Sequence, residues 1–124
     1  MLYDALYARQ SIEKQDSISV ESQLAYCQYE THGAPFLTYA DRGFSGKDTH
    51  RPGFTQMMND VQAGKIRRVI VYRLDRLSRS VSDFSAMWQI FEQHGVEFSS
   101  ISEQFDTSTP IGKAMVYIIM TFAQ

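Results

Sequence analysis

Three short segments of this 124-residue chain carry the residue types that handle phosphate esters. The first is Tyr7-Ala8-Arg9-Gln10-Ser11. The second runs from Asp41 to Gly53 (DRGFSGKDTHRPG) and supplies Arg42, Lys47 and Arg51. The third is Arg73-Leu74-Asp75-Arg76-Leu77-Ser78-Arg79. Cleaving a phosphodiester builds negative charge on the non-bridging oxygens and on the leaving oxygen. Guanidiniums grip such oxygens bidentately and keep their charge at any working pH. Removing one preorganised donor from a site of this kind costs roughly 2.7–4 kcal/mol, by analogy with oxyanion holes. A serine such as Ser11 can act as the nucleophile and divide the reaction through a covalent phosphoester. What would take its proton is left open by the residues. The first and third segments hold no histidine, arginine is a reluctant base with a pKa above about 12, and Asp75, the one carboxylate in those two segments, is equally suited to orienting an arginine.

The elements that must position these segments can be read from periodicity. Leu2 to Tyr7 is a short apolar run with polar flanks, expected as a first strand. Ser17 to His32 places Ile18, Val20, Leu24, Ala25 and Cys27 near helical spacing, with Gly33 as its stop. Ser17 and Ser19 lie where an N-cap is needed, so capping explains them better than catalysis. Phe36 to Tyr39 reads as a second strand. The thirteen residues Asp41 to Gly53 then read as a loop, expected to be mobile without a ligand. A helix over Phe54–Ala63 ends at Gly64, and Arg68–Tyr72 is a β-branched run suited to a buried strand. Ser82–His94 is a second amphipathic helix, stopped by Gly95, with Phe84, Met87, Trp88 and Phe91 on its core face. Val96–Ile101 is a fourth strand. Alternation of this kind specifies an α/β fold of three layers, a mostly parallel sheet of four to five strands flanked by helices. Ligands of such sheets bind beyond the carboxyl ends of the strands, where the three charged segments begin.

Asp106 to Pro110 (DTSTP) carries helix-start chemistry, and the helix that follows, from about residue 110 to Gln124, is apolar almost all round. A helix of that composition must be covered, either by its own domain or by another polypeptide. No C-cap signal follows it, so it is expected to be cut short at the end of this sequence.

Residues 1–124 are expected to form one domain, since the length suffices for a core without staples. No run approaches eighteen apolar residues, and no basic-then-apolar leader opens the chain. The single Cys27 has no disulfide partner, and His32, His50 and His94 have no zinc-like spacing. A reducing, cytoplasmic setting and a site without metal or cofactor are the expectation. The formal charge of −2 is unusual for a protein that meets a polyanion. Six of the twelve Lys and Arg residues nevertheless fall between Lys65 and Arg79, with Asp75 the one acid among them. Lys65, Arg67 and Arg68 of that cluster read as a solvated edge; Arg76 and Arg79, three apart beside Asp75, read as functional.

YARQS, DRGFSGKDTHRPGF, VIVYRLDRLSRS and TPIGKAM, in that order, resemble the N-terminal catalytic domain of serine recombinases, the resolvases, invertases and large serine integrases. The phrase ISVESQ and the spacing of the first segment look most like the large integrase or transposon branch. The resemblance implies that Ser11 forms a 5′-phosphoserine bond with double-stranded DNA and frees a 3′-hydroxyl. It implies that Arg9, Arg51, Arg76 and Arg79 line the scissile phosphate with Asp75 beside them. Gln23 would support them from the first helix, and Tyr7 and Ser45 would belong to the surroundings. It further implies a cytoplasmic protein, bacterial or phage-encoded, working without metal or ATP. Self-association through the C-terminal helix, as a dimer and then a tetramer in the active synapse, is implied too. A DNA-binding region is expected outside this chain. Gln10 stands where valine is frequent in the family, and Tyr72 where lysine is frequent; neither change removes a charged group. Two other readings compete: a catalytically silent recombinase fold serving as a dimerisation or regulatory module, and a small phosphate-binding or signalling α/β domain. The lack of a Gly-rich strand–helix turn argues against nucleotide binding.

Overall fold

A computed structural model describes residues 2–11, 18–44, 51–77 and 81–121. In chain order the elements are β1 (Tyr3–Ser11), α1 (Val20–Tyr29), β2 (Phe36–Phe44), α2 (Pro52–Gln62), β3 (Ile66–Val71) and α3 (Leu74–Leu77). They continue with α4 (Val81–Gln93), β4 (Glu97–Ser100), β5 (Phe105–Asp106) and α5 (Pro110–Thr121). One five-stranded sheet has the order β2-β1-β3-β4-β5, parallel except for β5. This is the three-layer α/β architecture expected from the alternation of the sequence.

β1 and β3 are covered on both faces, which is why they read as continuous apolar runs: Ala5, Leu6, Tyr7 and Ala8 are fully buried, as are Val69, Ile70 and Val71. The chain steps from β1 outward to β2, then back across to β3. Crossovers in opposite directions put α1 on one face and α2 and α4 on the other, as crossovers of one hand require. The α1 face is a small cluster of Leu6, Cys27 and Ile70 backed by Leu24, Phe36 and Ile101. The opposite face holds the main core, where Tyr7, Tyr39, Met57 and Val61 meet Phe84, Trp88, Phe91, Phe98 and Val116.

Helix ends follow their local chemistry. Ser19 caps α1 by accepting from the Ser22 N–H at 3.1 Å. α2 and α4 both end in paired bonds that use a left-handed glycine. Gly64 (φ 79°) and Gly95 (φ 67°) donate to Val61 and Glu92, while Lys65 and Val96 reach back to Asp60 and Phe91. Gly33 (φ 86°) stands further from its helix than expected, because α1 stops at Tyr29 and the chain turns through Glu30–His32 first.

Other departures concern the polar ends of the strands. β1 continues through Arg9 and Ser11, and β2 through Asp41–Phe44, beyond their apolar runs. Arg9 pairs with Asp41, Gln10 with Arg42 and Ser11 with Phe44, Gly43 being the extra residue of a bulge. The thirteen-residue loop is thus shorter than expected, with strand at its start and the first turn of α2 at its end; positions 45–50 lie outside the described residues. The Lys65–Arg68 edge is also not merely solvated. The fully buried Asp4 carboxylate takes Arg67 Nε at 2.8 Å and lies 3.6 Å from Arg68 Nη2, and Arg68 also donates to the Glu30 carbonyl at 2.9 Å. That cluster ties β1, β3 and the end of α1 together at the amino ends of the strands. Among the described residues no helix is long and apolar enough to cross a membrane.

Candidate active site

The sheet reverses its strand order at β1 and β3, and a crevice at the carboxyl ends of parallel strands is the expected result. β1 and β3 pair only as far as Tyr7 and Val71. Beyond Tyr7 the free side of β1 still needs partners for its backbone groups. Gln23, fully buried on α1, supplies them: its Oε1 accepts from the Arg9 N–H at 3.2 Å, and its Nε2 donates to the Arg9 carbonyl at 3.0 Å and to Ile18 O at 2.8 Å. Gln23 thus acts as a one-residue strand substitute that holds the backbone two residues ahead of Ser11.

On the opposite face the organising group is Asp41, which the sequence reading treated only as the start of a loop. α2 begins RPGF. Proline suits its first position, but the residue before it, Arg51, has no acceptor to offer the second and third amides. Asp41 reaches across from β2 to do this. Its Oδ1 accepts from the Gly53 N–H at 2.8 Å, and its Oδ2 from the Phe54 N–H at 3.0 Å. The close approach requires glycine, because a Cβ at Gly53 would lie 2.6 Å from the Ala40 carbonyl oxygen. Asp41 Oδ2 takes a third bond, 2.7 Å long, from the Tyr7 hydroxyl. The absence of an acceptor at Arg51 was the one signal in the sequence that a remote carboxylate had to exist.

Arg51 is held by the same network. Its Nε donates to Tyr7 Oη at 3.3 Å, and its guanidinium carbon lies 4.0 Å from the Phe54 ring centroid and 5.5 Å from that of Tyr7. The two rings meet edge to face at 5.9 Å. Burial raises the Tyr7 phenol well above the ordinary tyrosine value, the Arg51 charge opposes that rise, and the bond to Asp41 adds to it. Tyr7 is therefore a neutral donor at physiological pH.

After β3 the chain turns through Tyr72 and Arg73 into the four-residue α3, which packs against β1. Arg76 is only 2% exposed there, the largest fully buried side chain among the described residues. Asp75 and Ser11 are placed through their backbones, on α3 and at the end of β1. Arg79, Ser45 and Lys47 lie outside the described residues. Arg42, grouped with the site guanidiniums by sequence, instead pairs with Glu21 of α1 on the surface; that bond is the main cause lowering the Glu21 carboxyl below its usual range. The structure thus brings Arg9, Ser11, Gln23, Arg51, Tyr7 and the α3 backbone to one sheet edge, and turns Arg42 away from it.

A doubly wound sheet whose arginine-bearing segments meet at the carboxyl ends of its strands defines the class, the small α/β domains that bind ligands at a switch point. The chain belongs to the resolvase family, the model "Resolvase, N terminal domain" matching residues 5–124, and is a catalytic domain of the resolvase/invertase class of site-specific recombinases. The probable DNA-invertase y4cG of Sinorhizobium fredii (strain NBRC 101917 / NGR234) is 34% identical over 122 residues, 95% of this chain and 36% of that protein. The DNA-invertase of Enterobacteria phage P7 is 31% identical over 88 residues, 71% of this chain and 46% of that protein. This chain therefore spans less than half the length of either relative. Among solved structures, the N-terminal catalytic domain of TP901-1 integrase matches with a TM-score of 0.83 at 32% identity, covering 97% of this chain and 92% of that one. A resolvase family site-specific recombinase from Streptococcus pneumoniae matches at 0.75 with 28% identity, covering 99% and 86%.

Proposed function

We propose that this domain cleaves and rejoins double-stranded DNA through Ser11, within a longer site-specific recombinase. In this reading the Ser11 hydroxyl attacks the scissile phosphorus, its oxygen forms a 5′-phosphoserine ester, and the 3′-oxygen leaves and gains a proton. Rejoining reverses the exchange, so the bond energy is conserved and no nucleotide cofactor or metal is needed. Arg9, Arg51, Arg76 and Arg79 neutralise the phosphate oxygens, Asp75 orients one of these arginines, and Tyr7, Gln23 and Ser45 support the site.

The observation that carries this reading is the convergence on one edge of three sequence segments: Arg9 and Ser11 at the end of β1, Arg51 at the start of α2, and Arg76 after β3. Arg51 matters most, because its hydrogen bond to Tyr7 and its stacking on Phe54 pre-arrange a charge that phosphate would otherwise have to order.

Self-association through α5, as a dimer and then a tetramer in the active synapse, belongs to the same proposal. Ile111 and Ile118, seven residues and about two turns apart, are 76% and 55% exposed on a helix whose Val116 is buried in the domain. A DNA-binding region outside this sequence would complete the protein, and its setting would be the bacterial cytoplasm.

The test is covalent capture. The full-length protein is mixed with DNA bearing its recombination site and resolved on a denaturing gel, wild type beside Ser11→Ala. An adduct on the 5′ phosphate that vanishes in Ser11→Ala is the expected result. An adduct that persists in that variant, or DNA bound specifically with no adduct from wild type, overturns the assignment.

A further inference from the structure

We propose that Glu103, in the turn between β4 and β5, is the positioning residue that holds the Arg76 segment in place. The inference rests on the catalytic reading of that segment given above. α3 is four residues long, far below the length at which a helix sustains itself, so something outside it must fix its origin. The turn does so at three points in succession. Ile101 N–H donates to Val71 O at 3.0 Å, and Ser102 N–H to Tyr72 O at 2.8 Å, carrying the β3–β4 pairing past the end of both strands. The Glu103 carboxylate then accepts from the Leu74 N–H, with its two oxygens at 3.1 and 3.3 Å.

Glu103 is itself oriented by the Ser100 hydroxyl, which donates to Oε1. The turn closes through Gln104, held at φ 59° with its N–H on the Ile101 carbonyl. Two residues beyond the clamped Leu74 amide stands the buried Arg76, whose own N–H bonds to Arg73 O at 3.0 Å. Glu103 is exposed, so its place in the fold is accounted for by this contact rather than by packing. Because β5 and α5 follow the turn directly, the same residue links the helix proposed for self-association to the segment that bears a site arginine.

The experiment compares wild type, Glu103→Ala and Glu103→Gln in the full-length protein. It reads amide hydrogen exchange at Leu74–Arg76, single-turnover adduct formation and DNA affinity. Alanine is expected to speed exchange at Leu74 about tenfold, the size of a typical lost cap. It should slow adduct formation by a similar factor while DNA affinity changes less than about twofold. Glutamine keeps an acceptor oxygen and should restore most of both. Unchanged Leu74 exchange in the alanine variant overturns the proposal, and so does slowed cleavage that glutamine fails to rescue, which would assign the carboxylate a direct chemical role. If wild type forms no adduct, the catalytic reading fails instead, and the exchange measurement decides on its own whether Glu103 holds Leu74.

Discussion

Asp41→Ala should cost the domain about 3 kcal/mol, because one buried carboxylate serves three donors at once. Asp41 is 2% exposed and accepts from Gly53 N–H, Phe54 N–H and the Tyr7 hydroxyl at 2.7–3.0 Å. Losing the cap of α2 contributes about 1–2 kcal/mol. Leaving the buried Tyr7 hydroxyl without its acceptor adds about 1–2 more. The anion's interaction with the helix terminus is worth roughly 0.5. Asp41→Asn separates these contributions. Its amide can keep the Tyr7 bond, since a hydroxyl both donates and accepts, but its NH₂ must face one helix N–H, so a loss of about 1–1.5 kcal/mol is expected. Urea unfolding of the 124-residue chain is the assay. At a slope of about 1.5 kcal/mol per molar, the alanine midpoint falls by about 2 M and the asparagine midpoint by about half that. An alanine loss below about 1 kcal/mol, or asparagine as damaging as alanine, would refute the capping account. In the full-length protein Asp41→Asn should also slow adduct formation more than it weakens DNA binding, because the first turn of α2, which follows Arg51 directly, loses one of its two amide bonds.

Gly53→Ala places a Cβ 2.6 Å from the Ala40 carbonyl oxygen and must push α2 off β2, a loss of about 1–3 kcal/mol in the same assay. Asp4→Ala strips the partner from Arg67 and the mostly buried Arg68. With Arg67 half in solvent the cost should be about 2–3 kcal/mol, with 1 M salt recovering little of it. Burial raises the Tyr7 and Tyr39 phenols above the free value of about 10, and bonds to Asp41 and Asp60 add to the rise. The folded state thus holds those protons more tightly than the unfolded one. Stability is intact below pH about 10 and drains as pH climbs toward the folded values, which alkaline unfolding curves would register as a falling midpoint. Burial pushes the Cys27 thiol up to about 12, so it should ignore a disulfide reagent at pH 8 until the chain is unfolded.

Periodicity made the sheet and its four main helices legible, because burial on both faces of β1 and β3 leaves an unbroken apolar run that few other structures explain. It was blind where the strands turn polar. RQS and DRGF pair with each other as strand, yet their side chains are those of a site rather than a core, so the apolar signal stops three or four residues early. α3 carries no period at all in four residues. Charge clustering misled in both directions, since Arg42 leaves the site for Glu21, while Arg68 leaves the solvent for Asp4 and Arg67, half exposed, pairs with the same carboxylate. Local sequence counts charges, but which carboxylate each guanidinium meets depends on strand order.

The contrast between the two described halves of the site follows from how each is anchored. On the β1–β2 side, Arg51 sits at the start of an eleven-residue helix whose first turn is bonded to a buried aspartate, so its position is fixed by the core of the domain. On the β3 side, Arg76 rides a single helical turn whose start is tied to the β4–β5 turn by two backbone bonds and the exposed Glu103 carboxylate. The first anchorage is built into the buried core, whereas the second lies at an exposed turn and can loosen while the sheet stays intact. If the domain cleaves DNA as proposed, a phosphate site with one half conditional would let assembly control the break, and the half joined to the helix proposed for self-association is the more weakly anchored of the two.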